Sequence, residues 1–134
     1  MKRPLAVSIV AAFLFAATFI AWLVAAALLH PTQFIEWMFT LNPPAYAAFN
    51  ALGWMAGVLL FALGCSTLAA AIGLRRARRW AWWFAVILFI VNTSGDVVAL
   101  FLLRDWLRSG SGVLIGLMFV FALLRSNART YCSQ

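Results

Sequence analysis

Four apolar stretches separated by short connectors constrain this chain more than any other feature of its sequence. Three of them exceed 20 residues, and the fourth, residues 112–124, reaches a spanning length only with its flanking residues. A helix needs about 20 apolar residues to cross the hydrocarbon core of a bilayer, where no water satisfies exposed backbone groups. With 66% hydrophobic and 10% charged residues, the chain lacks the polar surface of a soluble domain. The sequence therefore predicts one all-α membrane domain, residues 1–134, with transmembrane helices at residues 5–29, 46–74, 80–103 and 107–125.

The arginines predict how these helices are threaded through the membrane. If all four stretches span, eight of the ten lysines and arginines share one side. They are Lys2, Arg3, Arg75, Arg76, Arg78, Arg79, Arg125 and Arg129. The positive-inside rule then predicts an antiparallel four-helix bundle with both termini in the cytoplasm. A cleaved secretory signal is the alternative, but the first apolar run exceeds the ~7 to 15 residues of a signal core.

The first external connector, residues 30–44, has prolines at both ends, which limit any helix inside it. Within it Phe34, Trp37, Met38 and Leu41 recur at helical spacing. We predict a short amphipathic helix on the outer membrane interface. It is expected to anchor the chain there, with a lid or docking surface as the alternative.

Asp96 is the residue whose position most needs an explanation, because a carboxylate in a spanning helix costs about 2.5 to 3.5 kcal/mol on insertion scales. Asn92 lies one turn before it on the same helix face, and Asn50 is expected at a similar depth on the second helix. We therefore predict an intramembrane polar cluster of Asn50, Asn92 and Asp96.

Three interpretations of this cluster remain open. In the first interpretation the cluster is structural: it fixes the register of two helices or contacts a partner subunit, since hydrogen bonds between helices stabilise membrane assemblies. Alternatively, Asp96 attracts cations or carries protons. In the third interpretation the amides orient a lipid or quinone headgroup in a pocket walled by Trp22 and Trp54, both of which are expected in the outer half of the membrane.

The basic run between the second and third stretches is expected to contact anionic lipid headgroups. Its cations are Arg75, Arg76, Arg78 and Arg79. Each cation near a negatively charged membrane surface contributes about 1 kcal/mol. Trp80, Trp82 and Trp83 follow directly, as in the aromatic belts of membrane interfaces. Nucleic acid is not expected as a partner, because the run is held at the membrane and is not accompanied by an element that could contact the bases of DNA or RNA.

Residue types that support catalysis or metal binding are scarce. His30 is the only histidine, and no cysteine or carboxylate stands at metal-ligand spacing from it. Cys65 and Cys132 both fall on the expected cytoplasmic, reducing side, which argues against a disulfide. The sequence predicts no enzyme activity, no metal and no cofactor.

Four short motifs carry a resemblance to a known group of proteins. They are Lys2-Arg3-Pro4, Gly73-Leu74 leading through arginines to Trp80-Ala81-Trp82, the stretch from Asn92 to Asp96, and Leu123-Leu124-Arg125 with Arg129 and Tyr131. Together they resemble a broad group of small, uncharacterised four-helix prokaryotic integral membrane proteins. The resemblance covers most of the chain and implies a bacterial inner membrane, but it implies no activity.

These observations predict a non-enzymatic multi-pass membrane protein that acts as an interaction or accessory subunit of a membrane assembly. Its expected partners are anionic lipids and other membrane subunits or further copies of itself. The alternatives are a small oligomeric cation or proton channel or transporter that uses Asp96, and a lipid- or quinone-binding membrane protein.

Overall fold

The computed structural model describes residues 2–30, 33–41, 43–104 and 106–133. Within these ranges the chain is helical and contains no strand. The helices of the described residues are α1 (Leu5–Leu29), α2 (Gln33–Thr40), α3 (Pro43–Leu52), α4 (Trp54–Arg75), α5 (Arg79–Leu103), α6 (Trp106–Leu124) and α7 (Ser126–Cys132). Helices α1, α4, α5 and α6 are long and apolar enough to cross a membrane. The predicted all-α chain with four apolar spans is confirmed, and it fits a multi-pass membrane protein.

The predicted second helix differs from the structure, because a break at Gly53 divides it into α3 and α4. Gly53 adopts a left-handed backbone with φ of 58°. Its N–H donates to the carbonyl oxygens of Phe49 (3.0 Å) and Asn50 (3.2 Å), which closes the last turn of α3. Glycine lacks the Cβ that penalises this conformation and is the usual residue at such helix ends. At the other end, α3 begins at Pro43, whose fixed φ suits the first helical position.

The short helix predicted in the first connector is present as α2. Phe39 packs against α3, with ring centroids 4.9 Å from Tyr46 and 6.5 Å from Phe49. Trp37 and Leu41 are exposed, while the side chains of Phe34 and Met38 lie outside the described part of the chain. The sequence pattern therefore located the helix but missed Phe39, which joins it to α3. Its location at a membrane interface stays a prediction.

Residue contacts group the chain into two compact units. Leu14–Leu68 forms what we call the internal unit, and Met1–Phe13 with Ala69–Gln134 forms the terminal unit. Helices α1 and α4 each contribute residues to both units. The prediction of one domain over residues 1–134 stays a prediction.

Within the internal unit, α1 and α4 pack through small and polar residues. Thr18 and Thr67 share a buried hydrogen bond of 2.8 Å. The Trp22 ring covers Gly64, and Leu29 lies against Gly57. The contacts advance along α1 while they recede along α4, so the two helices run in opposite directions in this unit. Glycines at such contacts let helix backbones approach closely in membranes.

Within the terminal unit, an aromatic cluster joins the first turns of α1 to α5 and α6. The Phe119 ring centroid lies 4.7 Å from that of Phe13 and 5.2 Å from that of Phe89. Tilted aromatic pairs at such distances contribute about 0.5 to 1.5 kcal/mol beyond the burial of their area. Phe89 and Phe119 are buried, so this cluster is the centre of the terminal unit.

Candidate functional sites: a polar helix face and a cationic pocket

The predicted polar cluster is formed in part on α5. Asn92 Nδ2 donates a hydrogen bond of 3.3 Å to Asp96 Oδ2, one helical turn away. Asn92 is exposed and Asp96 is half-buried. Ser94 is also exposed, but its hydroxyl donates to the Ile90 carbonyl oxygen of its own helix at 2.8 Å. Asn92 and Asp96 together form what we call the polar face of α5.

Two glycines of α6 receive the polar side chains of α5. The Asp96 carboxylate lies against Gly112, and the Thr93 hydroxyl lies against Gly116, so that a Cβ at either glycine would collide with it. Thr93 Oγ1 is buried and makes no hydrogen bond within the described residues. The close approach of the two helices at Gly112 and Gly116 therefore brings Asp96 and Thr93 against the backbone of α6.

The remaining residues of the predicted cluster and pocket belong to the internal unit. Asn50 is exposed on α3, and its grouping with the polar face of α5 stays a prediction. Trp22 stacks on Phe61 with a centroid distance of 5.9 Å, and its Nε1 donates to the Phe61 carbonyl oxygen at 3.3 Å. Trp54 is 71% exposed. A ligand pocket walled by Trp22 and Trp54 likewise stays a prediction.

The basic run is folded into a tight turn at the end of α4. The N–H of Arg78 bonds to the Gly73 carbonyl oxygen (2.9 Å) and that of Ala77 to the Leu74 carbonyl oxygen (3.1 Å), which is the Schellman arrangement of a helix C-terminus. Ala77 occupies the left-handed position with φ of 55°. This conformation costs alanine about 1 kcal/mol. The turn sends the chain from α4 directly into α5.

The last carbonyl of α4 ties three segments of the terminal unit together. Arg75 O accepts a hydrogen bond of 3.2 Å from Arg3 Nη2 and one of 3.4 Å from the Tyr131 hydroxyl. The final carbonyls of a helix have no partner within the helix, and cations there interact favourably with the helix dipole. The N-terminal segment, the turn after α4 and α7 therefore meet at one end of the terminal unit.

Trp82 corrects the expectation of an interfacial belt at this end. Trp80 and Trp83 are exposed as the belt requires, whereas Trp82 is only 5% exposed. Its Nε1 donates a hydrogen bond of 2.8 Å to the carbonyl oxygen of Leu123, which is fully buried near the end of α6. A tryptophan after an arginine run looks the same in sequence whether it faces lipid or caps a neighbouring helix.

The arginines at this end surround two adjoining pockets. One, of about 780 Å³, is lined by Arg76, Ala77, Arg78, Arg79, Trp80 and Ser133. The other, of about 230 Å³, is lined by Arg79, Trp82, Trp83, Arg129, Thr130, Cys132 and Ser133. Arg79 and Ser133 line both, and we refer to the two together as the cationic pocket. The contact of Arg75, Arg76, Arg78 and Arg79 with anionic lipid headgroups stays a prediction, and the sequence indicated neither a pocket nor the contribution of α7 to one.

The cysteines and metal-binding residue types form no further site among the described residues. No group of three or more His, Cys, Asp or Glu residues there could hold a metal ion. Cys65 is an exposed free thiol, and Cys132 is a buried one. Burial raises the pKa of the Cys132 thiol, which disfavours the reactive thiolate. The expected lack of enzyme activity and of cofactors stays a prediction.

Comparison with known proteins returns no match among protein-family models, curated proteins or solved structures. The resemblance to small four-helix prokaryotic membrane proteins stays a prediction. Among the described residues of the terminal unit, the polar face of α5 and the cationic pocket offer polar or charged groups to a binding partner.

Proposed function

We propose that this chain is a non-enzymatic multi-pass protein of the bacterial inner membrane that acts as an accessory subunit of a larger membrane assembly. In this proposal α1, α4, α5 and α6 span as an antiparallel four-helix bundle, and both termini are cytoplasmic. The eight cations of the terminal and α4–α5 segments support this orientation through the positive-inside rule. The bonds from Arg3 and Tyr131 to Arg75 support it as well, because they hold three of these segments together.

The exposure of Asn92 is the observation that carries the accessory role. Asn92 lies one residue past the midpoint of α5, which places it near the middle of a membrane that this helix spans. An asparagine side chain offers two donors and an acceptor, and the bond to Asp96 uses one donor. Polar groups transferred to hydrocarbon without a partner cost about 2 to 7 kcal/mol. A polar side chain on the spanning helix of a partner protein would satisfy the remaining donor and the acceptor of Asn92.

The wide exposure of the apolar spans supports the same role. Only 22% of the spanning window of α5, and the same share of that of α6, is buried inside the chain. The rest of each helix is available to lipid or to another protein. A helix of a partner protein suits the surface next to Asn92 better than lipid does, because lipid tails cannot hydrogen-bond to the polar face of α5.

Asn92→Leu is expected to weaken the assembly, with Ser94→Leu as the matched control on the other side of the same helix. Loss of a hydrogen bond between membrane helices predicts about threefold to thirtyfold less partner bound. Ser94→Leu should leave binding unchanged, because Ser94 bonds only to its own helix backbone. The measurement is the amount of partner that copurifies in a mild detergent with the parent and with each variant, and photocrosslinkers at positions 92 and 94 in cells identify the molecule that lies against each position.

The accessory role requires a single defined partner protein crosslinked from position 92 and not from position 94. Adducts with lipid alone, or equal adducts from both positions, would contradict it. Adducts with a second copy of the chain would favour the channel instead. In that case liposomes containing the purified protein should conduct protons or cations, and Asp96→Asn should abolish the flux.

A further inference from the structure

The geometry of the cationic pocket points to a bound phosphate group, and we infer that this group is the headgroup of an anionic phospholipid in the adjacent leaflet. The basic run alone predicts diffuse attraction to a charged surface. The structure adds a shallow concave site, because α7 and the residue after it bring Arg129, Thr130 and Ser133 to the lining that also contains Arg79. This inference needs the chain to lie in a membrane, but it does not depend on the accessory role.

The charge balance of the terminal unit calls for an anion at this place. Asp96 is the only acidic residue in the described part of that unit. It follows Arg79 on α5 by 17 residues, a helical rise of about 25 Å. Arg76, Arg78, Arg79 and Arg129 line the pocket at the other end of the helix. Guanidinium groups suit phosphate because their planar N–H donors match two phosphate oxygens at once.

The beginning of α5 lies at the same pocket. The N-cap residue Arg78 has an extended backbone, and no side chain caps the helix. The first N–H groups of a helix have no acceptor within the helix, and the residues at this helix start, Arg79 and Trp80, line the pocket. The positive end of the α5 dipole therefore reinforces the arginine side chains.

The surface of α5 beyond the pocket favours a lipid over free phosphate. Trp80, Phe84, Ile87 and Val91 are all exposed and follow one face of the helix. This stripe extends about 16 Å from the pocket into the span. Exposed tryptophans mark the level of the headgroups in membrane proteins. A phospholipid whose phosphate occupied the pocket would lay its acyl chain along the stripe, whereas inorganic phosphate would leave the stripe unused.

α7 is fixed firmly enough to complete a pocket. Its Ala128 and Cys132 side chains are buried, and Tyr131 bonds to the end of α4. Its Arg129, Thr130 and Cys132 line the smaller part of the pocket. The C-terminal segment therefore acts as one wall of the lipid site.

The test is native mass spectrometry of the full chain in a neutral detergent, with added phosphatidylglycerol or phosphatidylcholine. The parent should retain phosphatidylglycerol preferentially. Arg79→Gln should weaken this binding about fivefold and Arg79→Gln with Arg129→Gln about twenty-fivefold, as expected for one and two lost cations. Arg79→Lys should lose less binding than Arg79→Gln, because it keeps the charge but not the planar pair of donors. Arg125→Gln is the matched control, since this cation at the same end lies over the Phe121 ring.

Equal binding of the two lipids, or equal losses for Arg125→Gln and Arg79→Gln, would overturn the inference. So would a normally folded Arg79→Gln with unchanged affinity. Adding inorganic phosphate tests whether the pocket binds the lipid headgroup or a free phosphate ion. Displacement of phosphatidylglycerol by an equal concentration of phosphate would assign the pocket to the free ion, whereas retention of the lipid supports the phospholipid site.

Discussion

Gly116→Leu is expected to lower the unfolding free energy of the protein by about 3 kcal/mol, the upper end of the usual cost of overpacking. Gly116 is buried at the contact of α6 with α5, where a Cβ would already collide with the Thr93 hydroxyl. Four added carbon atoms therefore force the two helices apart. Gly116→Ala should have a smaller effect in the same direction. Reversible unfolding in mixed micelles with increasing dodecyl sulfate, followed by circular dichroism, measures both.

Gly110→Ala is the matched control for this prediction. Gly110 lies on the same helix, and beyond the adjoining backbone of that helix no described atom lies within 4 Å of the position that its Cβ would take. Alanine is the better helix former, so this change should be neutral or should stabilise the protein by up to about 1 kcal/mol. Equal stability of Gly116→Leu and the parent would show that the contact between Gly116 and Thr93 does not form.

Trp82→Ala is expected to lower the unfolding free energy by about 3 to 5 kcal/mol, the usual cost of removing a buried tryptophan. The side chain fills the space between α5 and the end of α6, and its Nε1 satisfies the Leu123 carbonyl oxygen. Trp82→Phe removes the hydrogen-bond donor but keeps an aromatic ring in most of the buried space. This second change leaves a buried carbonyl without that donor, which predicts a loss of about 1 to 3 kcal/mol.

Trp106→Ala serves as the control, because Trp106 is 69% exposed at the start of α6. The same micelle unfolding assay should show a much smaller loss for it than for Trp82→Ala. Similar losses for the two variants would mean that Trp82 faces lipid, as the sequence pattern alone predicts.

Helix positions were largely predictable from the sequence, because a bilayer leaves a spanning chain few alternatives to an uninterrupted helix. Helix α1 has the predicted bounds, and those of α5 and α6 differ from the prediction by one residue at most. The break at Gly53 was not predicted. A glycine in an apolar run is equally compatible with helix packing and with a left-handed helix end, and only the backbone conformation decides between them.

The site was predicted less well, because its key contacts join residues far apart in sequence. The pairing of Asn92 with Asp96 follows from their spacing of one helical turn. The contacts of Tyr131 with Arg75 and of Trp82 with Leu123 have no such local signal. They form because unsatisfied carbonyls at two helix ends come within reach of side-chain donors once the helices have packed.

Membrane topology is the central claim of this account, and reporter fusions measure it most directly. One fusion site follows Gln134, and the other lies in the connector between α2 and α3. Each site carries in turn a reporter that works only in the cytoplasm and one that works only in the periplasm. The account predicts cytoplasmic activity after Gln134 and periplasmic activity between α2 and α3. Periplasmic activity after Gln134 would contradict it, because the arginine-rich end would then face the wrong side.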